Sequence, residues 1–408
     1  MPSDTTPQIS AHRPSSVDEV LTVLKARGPC SQAELVRQTG LSKGTVNNVV
    51  KRLLSDNIVS LQHKNRKEAW VILGVGLEAI ASVEVQTQQI RATLFDFARQ
   101  RRIEKVLDTI TENNTPEAVL KVLQGVTQEA GIALTDLPCV SVAIQGSIDR
   151  ASGSLVAWSA SRLPGWRDLK LVSYLEGLLG VPVLVDNDAN LAAYSEWTWG
   201  CGRGCDDFFY LLCSQGVGGG LIINGRIYRG GTGVAGEVGH MTLEDTGPVC
   251  FCGSRGCLHA LVSERALLAA LNTSESPQDS LPALIAAARN GDAACRRVLF
   301  EAGLSLGRAI ANTARVIAPS TIAIGGLLSK AGDLLLDSMR SSPEMQNLLS
   351  LASTTQLQLA QVSDAVTLGG VAVVLSYLDR GIVTLPTWML PPGAPLHSPP
   401  SIPQQLSA

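Results

Sequence analysis

The 408 residues are 45% hydrophobic and 17% charged, the balance of a soluble protein with room for two or three domains and ample core. The chain has no apolar run of the roughly eighteen residues a membrane helix needs and no signal-peptide pattern, which predicts a cytoplasmic protein without membrane insertion. Nine cysteines, unevenly clustered, suit a reducing compartment and a metal site. The net charge of −3 conceals a basic head: residues 1–75 carry ten Lys and Arg against six Asp and Glu, the remainder 23 against 30. Such a head on an acidic body points to a polyanion met by the head alone.

Residues 1–15 read as a flexible tail and 16–75 as a winged helix-turn-helix. Val17, Val20, Leu21 and Leu24 recur at helical spacing, and Gly28-Pro29 stops that helix. Ser31 is placed to cap a second helix, Gln32 to Thr39, which Gly40 ends. Ser42 then caps a third, with Val46, Val49, Val50, Leu53 and Leu54 on its buried face. Its other face offers Ser42, Lys43, Thr45, Asn47, Asn48, Lys51 and Arg52. Small and amide side chains suit base edges, and the cations suit phosphates. The runs 58–62 and 70–73 alternate as a hairpin whose tip carries Lys64, Arg66 and Lys67. A small helical protein-interaction domain with solvated charges is the alternative; double-stranded DNA is the expected partner.

Two α/β lobes are expected next, over 76–195 and 196–385. Strands are predicted at 79–85, 90–95, 140–144, 183–185, 208–212, 221–223 and 322–324, and helices over 116–130, 191–199, 262–318 throughout, 329–339 and 366–378. The last helix is expected to pack back on the first lobe, and the Pro-rich stretch 386–408 to be disordered. Polar residues that follow buried strands, as in Asp186-Asn187-Asp188-Ala189-Asn190, point into the crevice where such sheets bind ligands. Clustered carboxylates and amides suit sugar hydroxyls, although Asp188 could serve only as a helix N-cap. Gly216-Val217-Gly218-Gly219-Gly220 reads as a hairpin tip able to approach phosphate, or as an ordinary tight turn. Cys201 and Cys205 carry no functional assignment.

Cys250, Cys252 and Cys257, with His240 upstream, form the ligand set of a tetrahedral, structural Zn2+ site that leaves no open position. Glycines 253 and 256 give the loop freedom to wrap an ion; three thiols in a Gly-rich turn beside an unrelated histidine is the plainer alternative.

Five segments together resemble the ROK family of sugar kinases and repressors over about 17–385: Val185 to Asn190, Gly216 to Gly220, Gly236-Glu237-Val238-Gly239-His240, the cysteine cluster, and Ile324-Gly325-Gly326. With its helix-turn-helix the chain is similar to the family's transcriptional regulators, the xylose and N-acetylglucosamine repressors. The resemblance implies an actin-like fold of duplicated ribonuclease-H-like lobes in a homodimer or homotetramer. It also implies a sugar pocket lined by Asn187, Asp188, Glu237 and His240, with His240 doubling as a zinc ligand. Three departures stand out. Where family kinases carry an Asp-x-Gly-Gly-Thr phosphate loop, this chain has Glu84-Val85-Gln86-Thr87-Gln88-Gln89; where their second loop begins Gly-Thr-Gly, it has Ser214-Gln215-Gly216. His259 stands where the family usually has a sugar-binding glutamate. The expected protein is a sugar-responsive regulator, most simply a repressor on a palindromic operator, without kinase activity. The alternatives are an active kinase with a fused head, and a regulator governed by a partner protein.

Overall fold

The chain divides into two compact units, Met1–Gly76 with Leu375–Val383 and Leu77–Val374 with Thr384–Ala408. A computed structural model describes residues 15–56, 58–63, 69–74, 77–109, 114–271, 277–351, 355–382 and 384–394. The tail 1–14, the wing-tip residues Lys64, Arg66 and Lys67, and residues 395–408 lie outside the described residues.

In the first unit, α1 (Ser16–Arg27), α2 (Gln32–Thr39) and α3 (Lys43–Ser55) pack with β1 (Cys30–Ser31), β2 (Val59–His63) and β3 (Ala69–Leu73). The strands form an antiparallel sheet in the order β1-β3-β2, giving a winged helix. Ser15, Ser31 and Ser42 each accept a backbone N–H as N-cap, so polar residues in the connections set where helices begin. Gly40 ends α2 at φ +70°, a left-handed turn that a Cβ would strain. Val20, Leu24, Leu35, Val46, Val50 and Leu53 close the core, each fully buried side chain contributing about 1.5–3 kcal/mol. Residues 375–383, expected in the second lobe, belong to this unit: Asp379 pairs with Lys25 at 2.5 Å and the Gly381 N–H bonds the Gly74 carbonyl.

The second unit holds two five-stranded sheets of one topology. The first contains β4 (Ala79–Val85), β5 (Gln89–Asp96), β6 (Arg101–Asp108), β7 (Val140–Ile144) and β8 (Val183–Asn187), in the order β6-β5-β4-β7-β8. The second contains β9 (Phe208–Cys213), β10 (Val217–Ile223), β11 (Arg226–Ile227), β12 (Thr321–Gly325) and β13 (Gln356–Leu359), in the order β11-β10-β9-β12-β13. In each, a three-strand antiparallel meander is extended by two parallel strands. Parallel neighbours need crossovers, supplied in the first lobe by α4 (Pro116–Ala130), α5 (Ala157–Ala160) and α6 (Leu171–Leu179). The second lobe uses α8 (Leu258–Val262), α9 (Glu264–Leu271), α10 (Leu281–Arg289), α11 (Ala293–Ile317), α12 (Asp333–Arg340) and α13 (Pro343–Leu351). Each sheet buries its own apolar cluster, so the duplication holds in the packing too. This is the expected two-lobed, actin-like architecture.

Two helices tie the lobes together, α7 (Asp188–Trp199) and α14 (Ala365–Tyr377). Gly218 and Gly220 lie within β10 rather than at a hairpin tip, and they admit α7: a Cβ at either would press on Ala189 or Ala193. That glycine run is therefore a packing surface. Gly369 and Gly370 likewise let α14 close on Leu191, Ser82 and Ser141. The helix expected over 329–339 is broken at Gly332 into a 3-10 turn and α12. Residues 386–394, expected to be disordered, are held to the first lobe. Met389 is fully buried, its carbonyl accepts from Arg102, and Trp388 packs edge-on against Phe97.

Candidate ligand cleft and metal centre

The carboxyl ends of the parallel strands open on one cleft of about 940 Å³ in the second unit. At the end of β8, Asn187 caps α7, its Oδ1 accepting from the Ala189 and Asn190 N–H groups and its amide donating to the Gly146 carbonyl. Asp188 thus begins the helix without being the cap, though one carboxylate oxygen also accepts from Ala189. Burial pushes the Asp188 carboxyl up to about 7, and the acids Glu84 and Glu237 add to the shift. Asp186, facing away from this role, grips Arg229 of the second lobe and Asn190.

Glu237 comes from the second lobe, in the turn after Gly236. That glycine has φ +90° and lies against the Gly219 carbonyl, where no side chain fits. The Ser147 hydroxyl, from the first lobe, donates to Glu237 Oε1. Burial also raises the Glu237 carboxyl above its usual range. Asn187, Asp188, Glu237, His240 and His259 all line the cleft, as do Ser159, Trp158, Arg162 and Phe251. Ser147 lies in the polar stretch that follows β7, whereas Trp158 and Arg162 carried no motif; only the folded chain brings them to the acids.

Where a phosphate-binding tip would stand, the β4–β5 turn is closed on itself. Gln89 donates to Gln86, Gln86 to Glu84, and the Thr87 N–H to the Gln145 side chain at 3.3 Å. Below it, Arg91 bridges Glu84 and Asp364 at 2.6 Å each, and Arg102 reaches Asp364 at 2.6 Å. Against the cost of burial, the two guanidiniums hold Asp364 below the ordinary carboxylate range, whereas burial leaves Glu84 raised. On the opposite lobe the Ser214 hydroxyl accepts the Leu327 N–H, and Ser214 N–H bonds the Gly216 carbonyl. The Thr87, Ser214 and Leu327 backbone N–H groups are thereby engaged within the chain.

His240, Cys250, Cys252 and Cys257 bring one ligand atom each to within 4.8 Å of all the others. Cys250 Sγ stands 3.5 Å from His240 Nδ1, and Cys252 Sγ 3.7 Å from Cys257 Sγ. A tetrahedral ion with bonds of about 2.3 Å to sulfur and 2.0 Å to nitrogen sets those edges at roughly 3.5 and 3.8 Å. Geometry and donor set both fit a thiolate-imidazole cation. Gly256 enables the wrap, at φ +59° against the Glu244 carbonyl. Such an ion would cross-link the loop to the turn of Glu237 and complete four ligands, leaving no position for substrate.

On the winged helix, Ser42, Lys43, Asn48, Lys51 and Arg52 are exposed along one side of α3, with Thr45 and Asn47 half-buried. The Ser42 and Thr45 hydroxyls bond each other in the N-cap, 2.9 Å apart, and Arg52 lies 3.8 Å from Asp56.

A sugar-kinase-like pair of lobes with a helix-turn-helix head defines the class, and residues 80–376 match the ROK family: the chain belongs to it. Residues 19–66 match the MarR family. The chain is 27% identical over 347 residues to the xylose repressor of Bacillus subtilis, covering 83% of this chain and 88% of that one. In structure it is similar to a ROK family transcriptional regulator, a homologue of the E. coli MLC protein. There the TM-score is 0.71 at 20% identity, over 89% of this chain and 96% of that one. It is also similar to a ROK glucokinase of Streptomyces griseus in complex with glucose and AMPPNP. That match has a TM-score of 0.61 at 27% identity, over 72% and 98% of the two chains. Among the described residues no helix is long and apolar enough to cross a membrane.

Proposed function

We propose that this chain is a DNA-binding repressor of carbohydrate genes whose effector is a sugar or sugar derivative held at Asn187, Asp188 and Glu237. Zn2+ at His240, Cys250, Cys252 and Cys257 braces the turn that carries Glu237. The single observation that carries the reading is the closed β4–β5 tip: a kinase cleft keeps its sugar acids while the Thr87 N–H is spent on Gln145. Phosphoryl transfer depends almost wholly on positioning phosphate and metal, so a blocked phosphate loop removes the reaction and leaves binding. A homodimer presents two copies of α3 to inverted half-sites, with Lys51 and Arg52 on phosphates and Asn47 and Asn48 at base edges. Selecting DNA from a random pool tests this: inverted half-sites one or two helical turns apart are expected, and retention without sequence preference contradicts it.

One observation favours a second reading, an active kinase with a fused head. Asp188, pushed up to about 7, is poised for general-base work on a sugar hydroxyl. Against it, Arg91 neutralises Glu84, the carboxylate aligned with the kinase loop's aspartate. Formation of a sugar phosphate from Mg-ATP, abolished by Asp188→Asn, would establish that reading.

A further inference from the structure

The acids of the cleft stand beside a cation that the chain leaves unpaired. Arg162, just after α5, holds its guanidinium carbon 4.8 Å from the centre of the Phe251 ring. Among the described residues its side chain makes no hydrogen bond or ion pair; it feels Asp188 and Cys250 only at a distance. Burial works against its charge, as expected for a guanidinium held over a ring instead of in water.

The neighbouring groups are donors and aromatic faces. Val217 N–H donates to His259 Nδ1 at 3.4 Å, which leaves the ring proton on Nε2. Phe251 lies edge-on to His259 at 4.9 Å between centroids, and Trp158 is 6.2 Å from Phe251. An aromatic-walled recess weakens solvent screening, and a planar fork of N–H donors matches the oxygens of a carboxylate or phosphate. Asp188, Asn187 and Glu237 stand in the same cleft, with the acceptors and donors that hydroxyls require.

We infer that the effector is an anionic sugar, its hydroxyls held by Asn187, Asp188 and Glu237 and its carboxylate or phosphate by Arg162. This rests on the reading of the cleft as an effector site. A neutral hexose would leave the Arg162 charge desolvated and uncompensated, whereas an oxyanion turns that cost into recognition.

The test is titration calorimetry on the full, zinc-loaded chain. The panel is glucose, mannose, galactose and N-acetylglucosamine, each beside its 6-phosphate and, where it exists, its uronate. Inorganic phosphate is the charge control. At least one anionic sugar is expected to bind tenfold or more tightly than its neutral parent. Arg162→Gln is expected to erase that margin, with neutral-sugar affinity unchanged or raised once the desolvated charge is gone, while metal content and melting temperature stay put. Should Arg162→Gln fold poorly, Arg162→Lys keeps the charge without the fork and is expected to narrow the margin. The phosphate and uronate arms identify which oxyanion is read. Equal or tighter binding of a neutral sugar overturns the inference and leaves the effector reading standing. Inorganic phosphate binding as tightly as the sugar phosphates also overturns it. So does loss of metal from Arg162→Gln with the preference intact, which would assign the guanidinium to the metal-thiolate charge. Binding of no sugar at all defeats both.

Discussion

His240 and Glu237 face each other across 4.0 Å, Nε2 to Oε2, while the far nitrogen of the same imidazole lies 3.5 Å from the Cys250 thiol. One ring therefore touches the ligand cleft on one side and the metal cluster on the other. A metal-bound imidazole steadied by an outer carboxylate holds a fixed tautomer and orientation, so an ion here would position the Glu237 acid at the cleft.

Metal removal follows from that contact. The purified chain is expected to hold one zinc per chain, and Cys252→Ser or His240→Ala to lose it. Because the ion ties the cysteine loop to the turn of Glu237, loss of about 3 kcal/mol, or roughly 6–12 °C in melting temperature, is expected. Elemental analysis with thermal melts checks it; a variant that keeps both zinc and stability refutes the site.

The Arg91 bridge is a buried charge cluster, so breaking one partner strands the others. Arg91→Ala is expected to destabilise by about 3–5 kcal/mol. A cycle with Asp364→Asn should show coupling of about 1 kcal/mol or more, read from urea melts. Additive effects would mean that the 2.6 Å contacts contribute nothing.

Acid titration has a definite sign at Asp188. Its folded-state pKa, about 7, lies above the ordinary 3.8 of an aspartate. The folded chain thus binds that proton more tightly, and the stability this contributes is full below about pH 4 and lost as pH rises through 7. Asp188→Asn removes the dependence. It should match the native chain in stability at pH 4, exceed it at pH 8, and lose sugar binding. A variant less stable at pH 8 than the native chain contradicts the burial argument.

On DNA, Lys51→Ala is expected to weaken all sequences alike and lower the slope of log affinity against log salt by about 1. Asn48→Ala should instead cost about 1–3 kcal/mol at one base position and relax the preference there. Anisotropy titrations at several salt concentrations separate the two; identical behaviour would remove α3 from the groove.

The sequence made legible what local chemistry dictates. Ser31, Gly40 and Ser42 set the head's helix ends, and short apolar runs marked the central strands of both sheets. Three edge strands, β6, β11 and β13, were hidden. β6 carries Arg101, Arg102, Glu104 and Lys105 because only one of its edges is paired, and β13 is four residues long. Long-range placement was also invisible: nothing near Arg162 or Ser147 in the chain announces Phe251 or Glu237. Gly218 and Gly220 misled for a physical reason, since a glycine that admits a helix and one that admits a phosphate look alike in a sequence.

The most direct test is the affinity of the zinc-loaded protein for its selected DNA, measured by anisotropy with neutral and anionic sugars, each with and without Mg-ATP. The expected result is that one sugar weakens DNA binding at least tenfold, that ATP changes nothing, and that the sugar is recovered unphosphorylated. DNA affinity indifferent to every sugar, or a sugar recovered as its phosphate, would contradict it.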